Sequence, residues 1–279
     1  MQISTAGKNL EKISEFALQL VIMQLTDQEC ERYKKQLQLA DVGEQGQIKL
    51  KQASVLVIGA GGLGSPVLMY LTAAGVGKIT IMDGDRLSLS NLQRQVVHST
   101  SMVGELKVVS AHETLHRMNP EISIETIPAM LTADNARQVI GGHQVVVDCT
   151  DNLPARLLAN EVCVQLSKPF VYGAVFEYEG QVSTFDARRG PCFRCMLPET
   201  ILPELIPNPE SYGLLGMVPG VIGMLEAVEV LKILLGLGDA LIGKIALFNA
   251  LTTSITKINL IKRSDCPVCG VNGISSEED

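Results

Sequence analysis

The chain has 279 residues with a formal net charge of −7, and 46% of its residues are apolar. This apolar content is enough for a packed core, which excludes a mainly disordered chain, and the length fits one or two domains. The acidic balance, the lack of tryptophan and an aromatic content of only 4% argue against a nucleic-acid-binding surface.

Two uncharged stretches, 52–77 and 211–225, raise the question of membrane spans. The first contains six glycines and Pro66, which favours a strand, a turn and a helix over a span. The second runs directly into Glu226 and Glu229. The first 25 residues show no apolar run followed by a cleavage site. We therefore expect a cytoplasmic protein that does not enter a membrane.

The N-terminal residues are weakly amphipathic over 8–24, and we expect a helix there with no chemistry. Thr26 and Glu29 then form a capping-box pattern, which predicts a helix that carries Arg32 and Lys35. From residue 53 onwards, short apolar runs alternate with helical periodicity. The predicted elements are strands at 53–58, 78–83, 122–127, 144–149, 169–175 and 180–186, helices at 64–74, 104–117, 133–140 and 219–236, and a hairpin at 243–261.

This alternation of strands and helices predicts an α/β fold with a doubly wound, mostly parallel, Rossmann-like sheet. After residue 165 the pattern changes, because two strands follow each other without a helix between them. A hairpin then comes near the end of the chain. We therefore expect the parallel sheet to continue into an antiparallel half.

The segment 59–64 matches G-x-G-x-x-G directly after a buried strand and before a helix. Its glycines are Gly59, Gly61, Gly62 and Gly64. Glycines allow a tight turn and close approach of a phosphate, and the helix N-terminus supplies N–H donors. Asp83 follows about 20 residues later, where a carboxylate accepts hydrogen bonds from ribose hydroxyls. The pattern predicts an adenine nucleotide site; the alternative is a tight turn without a ligand.

Two cations, Arg94 and Lys107, follow Asp83 closely along the chain. A guanidinium fork and an ammonium group together suit a triphosphate, whereas the diphosphate of NAD on a helix N-terminus needs no such pair. The alternative for each side chain is a solvated surface charge.

Asp148 and Asp151 lie at the end of a buried valine-rich strand. The carboxyl ends of parallel strands face the ligand crevice, so we predict that Asp151 binds Mg²⁺ on the nucleotide phosphates. The alternative is a capping role at the helix that begins near Asn152. Asp148 is the structural candidate of the pair. Arg156 is expected to meet a phosphate or a carboxylate, with Asp151 as its nearest partner.

Four of the seven cysteines form two C-x-x-C pairs that are 70 residues apart. They are Cys192, Cys195, Cys266 and Cys269. Four thiolates at this spacing predict a closed, structural Zn²⁺ site, whereas a single pair would also fit redox chemistry. We expect the remaining Cys30, Cys149 and Cys163 to be small core residues.

In combination, these motifs resemble the MoeB/ThiF/HesA family, the bacterial relatives of ubiquitin-activating enzymes. The resemblance covers roughly residues 26–270. The segments that carry it are 59–64, Asp83, 90–95, Lys107, 148–152, the four cysteines and 218–223. It implies an extension at 1–26, a single adenylation domain at 27–270 and a tail at 271–279. Within that domain, a nucleotide half spans about 50–165 and a carrier and zinc half about 166–270.

The resemblance implies ATP-dependent adenylation of the C-terminal Gly-Gly carboxylate of a ubiquitin-fold sulfur carrier. Pyrophosphate leaves, Mg²⁺ is required, and the acyl-adenylate is later converted to a thiocarboxylate for molybdopterin or thiamin synthesis. The site residues it implies are Gly62 and Asp83 for adenosine, Ser90, Asn91, Leu92, Gln93, Arg94 and Lys107 for the phosphates, and Asp151 and Asn152 for magnesium and the α-phosphate. The family is homodimeric, and a basic residue of the N-terminal helix, here Lys35, reaches the partner's ATP.

Two positions depart from the family pattern. Lys35 stands where an arginine is usual, which keeps the charge but loses the guanidinium fork. Pro209 stands where many members carry a cysteine, so we expect no covalent adduct between enzyme and carrier and a MoeB-like or HesA-like enzyme.

Two alternatives belong to other classes of function. An NAD-dependent oxidoreductase is supported by the glycine motif alone. A non-catalytic partner subunit would be expected to lose Arg94, Lys107 or Asp151, and all three are present.

Overall fold

The computed structural model describes residues 24–197, 212–271 and 273. The strands of this part are β1 Ser54–Ile58, β2 Lys78–Met82, β3 Ser123–Ile127, β4 Val145–Asp148, β5 Phe170–Phe176, β6 Glu179–Phe185, β7 Lys244–Asn249 and β8 Ser254–Asn259. Its α-helices are α1 Asp27–Arg32, α2 Lys34–Leu37, α3 Gly43–Gln52, α4 Gly64–Ala74, α5 Lys107–Met118, α6 Ala133–Gly141, α7 Leu153–Gln165, α8 Phe193–Met196 and α9 Met217–Leu235. Among these residues, none of the helices combines the length and the apolarity that a membrane span needs.

Within the described residues the strands form one eight-stranded sheet in the order β3-β2-β1-β4-β5-β6-β7-β8. The first five pair in parallel, and β5 to β8 pair antiparallel. This confirms the predicted fold class, including the antiparallel continuation. The strand order reverses between β1 and β4, and in such sheets ligands bind at the carboxyl ends of the strands next to this reversal.

The uninterrupted apolar run of β1 follows from burial on both faces of the sheet. Val55 and Val57 contribute to a core under α3, α4, α5 and α9. Leu56 and Ile58 contribute to a second core under α6, α7 and α8. Because successive side chains of a strand point to opposite faces, a strand between two helical layers needs an apolar residue at every position.

The structure corrects two expectations, one near the N-terminus and one in the cysteine set. The capping box at Thr26 is confirmed, but the helix ends at Arg32 and a second helix carries Lys35. The break lies at Tyr33, which is buried against Gly75 and leaves helical geometry. Cys30 is exposed rather than a core residue. Most of the helix expected at 8–24 lies outside the described residues, which begin at residue 24.

Candidate functional site

The glycine-rich turn after β1 leads directly into the N-terminus of α4. Gly59 has φ +98°, and a Cβ there would lie 2.8 Å from the carbonyl oxygen of Cys149. A Cβ on Gly64 would collide with the carbonyl of Gly59. At Gly61, by contrast, the nearest atom to such a Cβ is Gln95 Nε2 at 3.6 Å. The turn therefore needs glycine for its own packing at Gly59 and Gly64 and leaves space for a ligand at Gly61.

Asp83 ties this turn to the end of β2. Its Oδ2 accepts a hydrogen bond from the backbone N–H of Ala60 at 2.8 Å, and its Oδ1 accepts one from the N–H of Asp85 at 2.8 Å. The strand ends one residue earlier than predicted, at Met82, so Asp83 begins the loop at the carboxyl edge of the sheet. A carboxylate held in this way faces the same cleft as the glycine turn.

His98 packs beneath the glycine turn, and no sequence pattern singled this residue out. Its Nε2 donates to the carbonyl oxygen of Ala60 at 2.8 Å, so its Nδ1 accepts from the hydroxyl of Ser110 at 2.9 Å. Burial lowers the pKa of His98, which favours this neutral ring. The imidazole therefore fixes the carbonyl of the turn without bringing a positive charge beneath it.

The two predicted cations both reach the cleft. Lys107 is the first residue of α5, and its Nζ lies 2.7 Å from Oδ2 of Asp85. Arg94 donates from Nη1 to the backbone oxygen of Ser90 at 3.1 Å. Asp85 was not among the predicted residues, although its place two residues after Asp83 at a strand end is the signal that would have found it.

The two aspartates after β4 occupy different environments. Asp148 is 1% exposed, and its Oδ2 accepts from Nε of Arg156 at 2.9 Å. Arg156 therefore pairs with Asp148 and not with Asp151, which corrects our expectation. Asp151 is exposed and has no hydrogen-bond or ion-pair partner among the described residues. Asn152 is the N-cap of α7 and accepts from the N–H of Ala155 at 3.0 Å, so the capping role falls to Asn152.

A cleft of about 1270 Å³ brings most of the predicted residues together. Those that line it are Gly59, Gly61, Gly62, Asp83, Gln93, Arg94, Lys107, Asp151 and Asn152. Those outside its lining are Gly64, Ser90, Asn91, Leu92 and Lys35. Residues 89–91 form a 3₁₀ turn that precedes Gln93 and Arg94, so this turn presents the two side chains rather than lining the cleft itself.

The four predicted zinc ligands converge although 70 residues separate the two pairs. Their Sγ atoms all lie within 4.8 Å of one another. The Cys192–Cys266 and Cys195–Cys269 Sγ distances are 3.7 and 3.4 Å. Tetrahedral Zn²⁺ with Zn–S bonds of about 2.3 Å requires sulfur atoms roughly 3.8 Å apart, so the cluster fits this ion. Sulfur ligands alone favour zinc over the hard cations.

The other cysteines are poorly suited to nucleophilic chemistry. Cys149 lines the cleft but is buried, and burial raises the pKa of its thiol well above the usual range. Burial also raises the pKa of Cys163. Pro209, the position where relatives carry a cysteine, lies outside the described residues.

A model of the ThiF family matches residues 33–268. A sulfur carrier protein adenylyltransferase of Thermus thermophilus is 44% identical over 253 residues, which are 89% of this chain and 93% of that protein. The SAMP-activating enzyme E1 of Haloferax volcanii is 41% identical over 249 residues, or 89% of this chain and 92% of that protein. The adenylyltransferase and sulfurtransferase MOCS3 of Culex quinquefasciatus is 42% identical over 97% of this chain, which spans 62% of that relative's length.

Among solved structures, a crystal structure of E. coli MccB with MccA-N7isoASN matches with a TM-score of 0.75 over 89% of this chain and 76% of that chain. Its sequence identity is 22%, so this likeness shows a shared fold. The matches leave no support for an oxidoreductase, which rested on the glycine motif alone. The chain belongs to the ThiF family and is an adenylyltransferase.

Proposed function

We propose that this protein transfers AMP from ATP to the C-terminal Gly-Gly carboxylate of a ubiquitin-like sulfur-carrier protein. The observation that carries this proposal is the extent of the cleft. Its nucleotide end holds the glycine turn, the two cations and Asp151, and it continues along β5, β6 and β7 past Gly180 and Phe248. At about 1270 Å³ it exceeds the range of roughly 300–1,000 Å³ that is usual for one small ligand. A nucleotide and an extended peptide tail fill such a cleft together.

The reaction requires little acid–base catalysis from the chain. An ionised carboxylate oxygen of the carrier attacks the α-phosphorus of ATP in line, the bond to the β-phosphate oxygen breaks, and pyrophosphate leaves with its electron pair. Both reactants are anionic, so positioning and charge neutralisation carry the rate. Arg94 and Lys107 supply the positive charge. The Lys107 ammonium group leaves its ion pair with Asp85 and binds a phosphate oxygen. Asp83 accepts from the ribose hydroxyls, and the glycine turn admits the phosphates.

Two metal ions belong to this proposal. Asp151 would hold Mg²⁺, because it is an exposed carboxylate without a protein partner among the described residues. When bound, Mg²⁺ offsets phosphate charge as it develops. Cys192, Cys195, Cys266 and Cys269 would hold Zn²⁺ in a closed site that stabilises the fold and takes no part in the reaction.

We further propose a homodimer in which Lys35 acts on the partner's ATP, a cytoplasmic location and a single adenylation domain at 27–270. The acyl-adenylate is then converted to a thiocarboxylate for molybdopterin or thiamin synthesis. The two relatives of similar length are named for a sulfur carrier and for SAMP, which supports a carrier protein as substrate.

ATP–pyrophosphate exchange tests the proposal directly. The purified protein, ATP, Mg²⁺ and a carrier with a C-terminal Gly-Gly should return labelled pyrophosphate into ATP. The matched control is the same carrier without its last glycine, which should give no exchange because its carboxylate stops short of the α-phosphorus. If no sulfur carrier from the same genome supports exchange, the activity is refuted and a non-catalytic partner subunit becomes the better description.

A further inference from the structure

The cysteine cluster and the nucleotide cleft share a structural element, the short helix α8. Cys192 is the N-cap of this helix and Cys195 lies within it, so two of the four cysteines belong to the helix. Phe193, Met196 and Leu197 line the cleft. Phe193 is only 1% exposed, which places it in the wall rather than in solvent. Any ion that holds the cysteines therefore also fixes one wall of the nucleotide site.

The Phe193 ring begins a chain of contacts toward the phosphate end of the cleft. It lies 4.9 Å from the ring of Tyr172, centroid to centroid. The guanidinium carbon of Arg156 lies 4.9 Å from the centroid of the same tyrosine ring. The Tyr172 hydroxyl accepts from Nε2 of Gln181 at 2.7 Å, which leaves the ring little freedom to tilt. The tyrosine is thus held between the cysteine helix and Arg156.

Arg156 connects the held Tyr172 ring to the turn that carries Asp151. Besides its ion pair with Asp148, it donates from Nη2 to the backbone oxygens of Thr150 and Gly173. Oδ1 of Asp148 in turn accepts from the N–H and the hydroxyl of Thr150, at 3.2 and 2.7 Å. The turn is therefore fixed from its buried side, and Asp151 follows it with an exposed side chain.

A second route starts from the backbone of Phe193. Its N–H donates to Oδ1 of Asn160 at 2.8 Å, and Asn160 is 1% exposed. Asn160 lies on α7, whose N-cap is Asn152, the residue directly after Asp151. A helix is stiff over this length, so a contact at Asn160 constrains its N-terminus. The ring of Phe193 is therefore connected to the Asp151 turn through Tyr172 and Arg156, and its backbone is connected to the same turn through Asn160.

We propose that Phe193 is a positioning residue that couples the cysteine-bound metal to the Asp151 turn. When a metal ion holds the cysteines, Phe193 packs against Tyr172 and donates its N–H to Asn160. These contacts keep the Asp151 side chain oriented toward the phosphates. The coupling itself depends only on the contacts above; its consequence for Mg²⁺ rests on the proposed function. Residues outside a metal's own ligands commonly change metal affinity or activity by roughly 10–100-fold when they are lost.

The first test measures the turn without any reaction. Hydrogen–deuterium exchange of a peptide covering 148–156 should be faster in Phe193→Leu than in the wild-type protein, in the absence of nucleotide. The matched control is Phe170→Leu, an equally buried ring that contacts Phe193 and Phe185 but not Tyr172. The control should lose comparable stability and leave exchange at 148–156 unchanged. Equal exchange in the two variants, at equal zinc content, would overturn the coupling.

The second test follows the two metals. Extraction of zinc by a chelator should speed exchange at 148–156 below the temperature of global unfolding. In the holoprotein, Phe193→Leu should raise the Mg²⁺ concentration for half-maximal pyrophosphate exchange roughly tenfold, whereas Phe170→Leu should not. Asn160→Leu keeps the Phe193 ring and should give part of the shift, so it remains informative if Phe193→Leu folds poorly.

These readouts separate the two proposals. Faster hydrogen–deuterium exchange at 148–156 in Phe193→Leu, together with no pyrophosphate exchange in the wild-type protein or any variant, would refute the proposed function and keep the coupling. Normal pyrophosphate exchange with unchanged Mg²⁺ dependence in Phe193→Leu, together with hydrogen–deuterium exchange at 148–156 no faster than in Phe170→Leu, would refute the coupling and keep the function.

Discussion

At the scale of single residues, two aspartates that are three positions apart have opposite roles at the cleft. Asp148 is buried, and burial raises its pKa while the Arg156 guanidinium opposes that shift. Its oxygens are fully occupied by Arg156 and Thr150, so it shapes the turn. Asp151 is exposed and has no partner among the residues that the structure describes. Of these two aspartates, only Asp151 has carboxylate oxygens that are available to a metal ion.

Replacement of Asp151 by alanine should abolish acyl-adenylate formation and leave the fold intact. The exposed carboxylate supports no described contact, while its loss removes charge compensation worth several kcal/mol, or roughly a hundredfold or more in rate. Pyrophosphate exchange and thermal unfolding measure the two effects. Asp134→Ala, an exposed aspartate outside the cleft, is the control. Near-normal exchange in Asp151→Ala would show that another residue binds the metal.

No covalent adduct between enzyme and carrier should form through a cysteine. All seven cysteines lie among the described residues, and four of them form the metal cluster. Of the other three, only Cys149 lines the cleft, and its raised pKa keeps it a thiol at neutral pH. Alkylation at pH 8 should therefore label the exposed Cys30 and spare Cys149 and Cys163.

Intact mass after incubation of enzyme, carrier and ATP checks the same point. A thiol-sensitive species with the mass of enzyme plus carrier would contradict the prediction. Its loss in Cys149→Ala would then identify the attacking sulfur.

Glu226 on α9 gives a pH-dependent prediction. Burial, and next the Asp148 carboxylate, raise the pKa of Glu226 well above 4.5, and its Oε2 has no partner among the described residues. A raised carboxyl pKa means that ionisation costs stability, and this cost grows as pH rises above the unfolded value. Glu226→Gln stays neutral, so it should raise the melting temperature at pH 8 and change it little at pH 4.

The size of this shift is about 2–4 °C for each kcal/mol in a protein of this size. Glu229→Gln, one turn further along α9, is the matched control. Its Oε2 accepts from the N–H of Leu241 at 2.6 Å and from the hydroxyl of Thr184 at 2.8 Å, and its Oε1 pairs with Lys232. That variant loses the ion pair and should lose stability. A pH-independent effect of Glu226→Gln would show that its carboxyl is not neutral in the folded protein.

At the scale of elements, two segments of chain far apart in sequence depend on one cluster of thiols. Residues 192–195 precede helix α9 in sequence, whereas 266–269 follow strand β8. Apart from the sulfur atoms, the cluster buries little, with Val268 its main apolar member. Lys262 donates to the carbonyl oxygen of Ala187 and Arg263 to that of Leu197, and a metal ion on the thiols would add a further link between these segments.

We predict one zinc ion per chain, and Cys195→Ser should lower thermal stability before it affects the reaction. Loss of a closed metal site removes folding free energy, because metal binding and folding are coupled. Elemental analysis and thermal unfolding of wild-type and variant protein are the measurements, with Cys30→Ser as the exposed control. Freshly purified protein without zinc would contradict the prediction.

At the scale of the whole molecule, Lys35 lies at the wrong end of the fold for its own cleft. Its neighbour Gln36 donates to the carbonyl of Ala74 at 3.0 Å and to Oε1 of Gln47 at 2.7 Å, which fixes α2 at the C-terminal end of α4. The glycine turn lies at the other end of α4, which has 11 residues and spans about 16 Å. We therefore propose that Lys35 acts on the nucleotide of a second copy of the chain.

Mixing two inactive variants tests this arrangement. Lys35→Ala and Asp151→Ala should each lose activity, since each lacks a charge that the phosphates need. Subunit exchange between them should restore about a quarter of the wild-type activity, because half of the dimers are mixed and each of these has one intact site. No recovery after verified exchange would mean that Lys35 serves its own subunit or none.

The sequence by itself determined the features that depend on short stretches of chain. The strand after residue 53, the glycine turn and α4 follow from hydrophobic period and glycine positions, and the structure places each within a residue of its prediction. The C-x-x-C spacing likewise predicted the four thiols of the cluster, because the two cysteines of each pair lie close together in sequence. The antiparallel half followed from the loss of alternating helices after residue 165.

The tertiary structure alone decided which partner each side chain meets. Arg156 follows both Asp148 and Asp151 in sequence, and in the fold it pairs with the buried Asp148 while the Gly173 carbonyl on the neighbouring strand β5 accepts from the same guanidinium. Phe193 lies in the cleft wall, where its N–H donates to Asn160 and holds α8 against α7. Such choices depend on contacts between residues distant in sequence, and no local pattern encodes the distances that decide them.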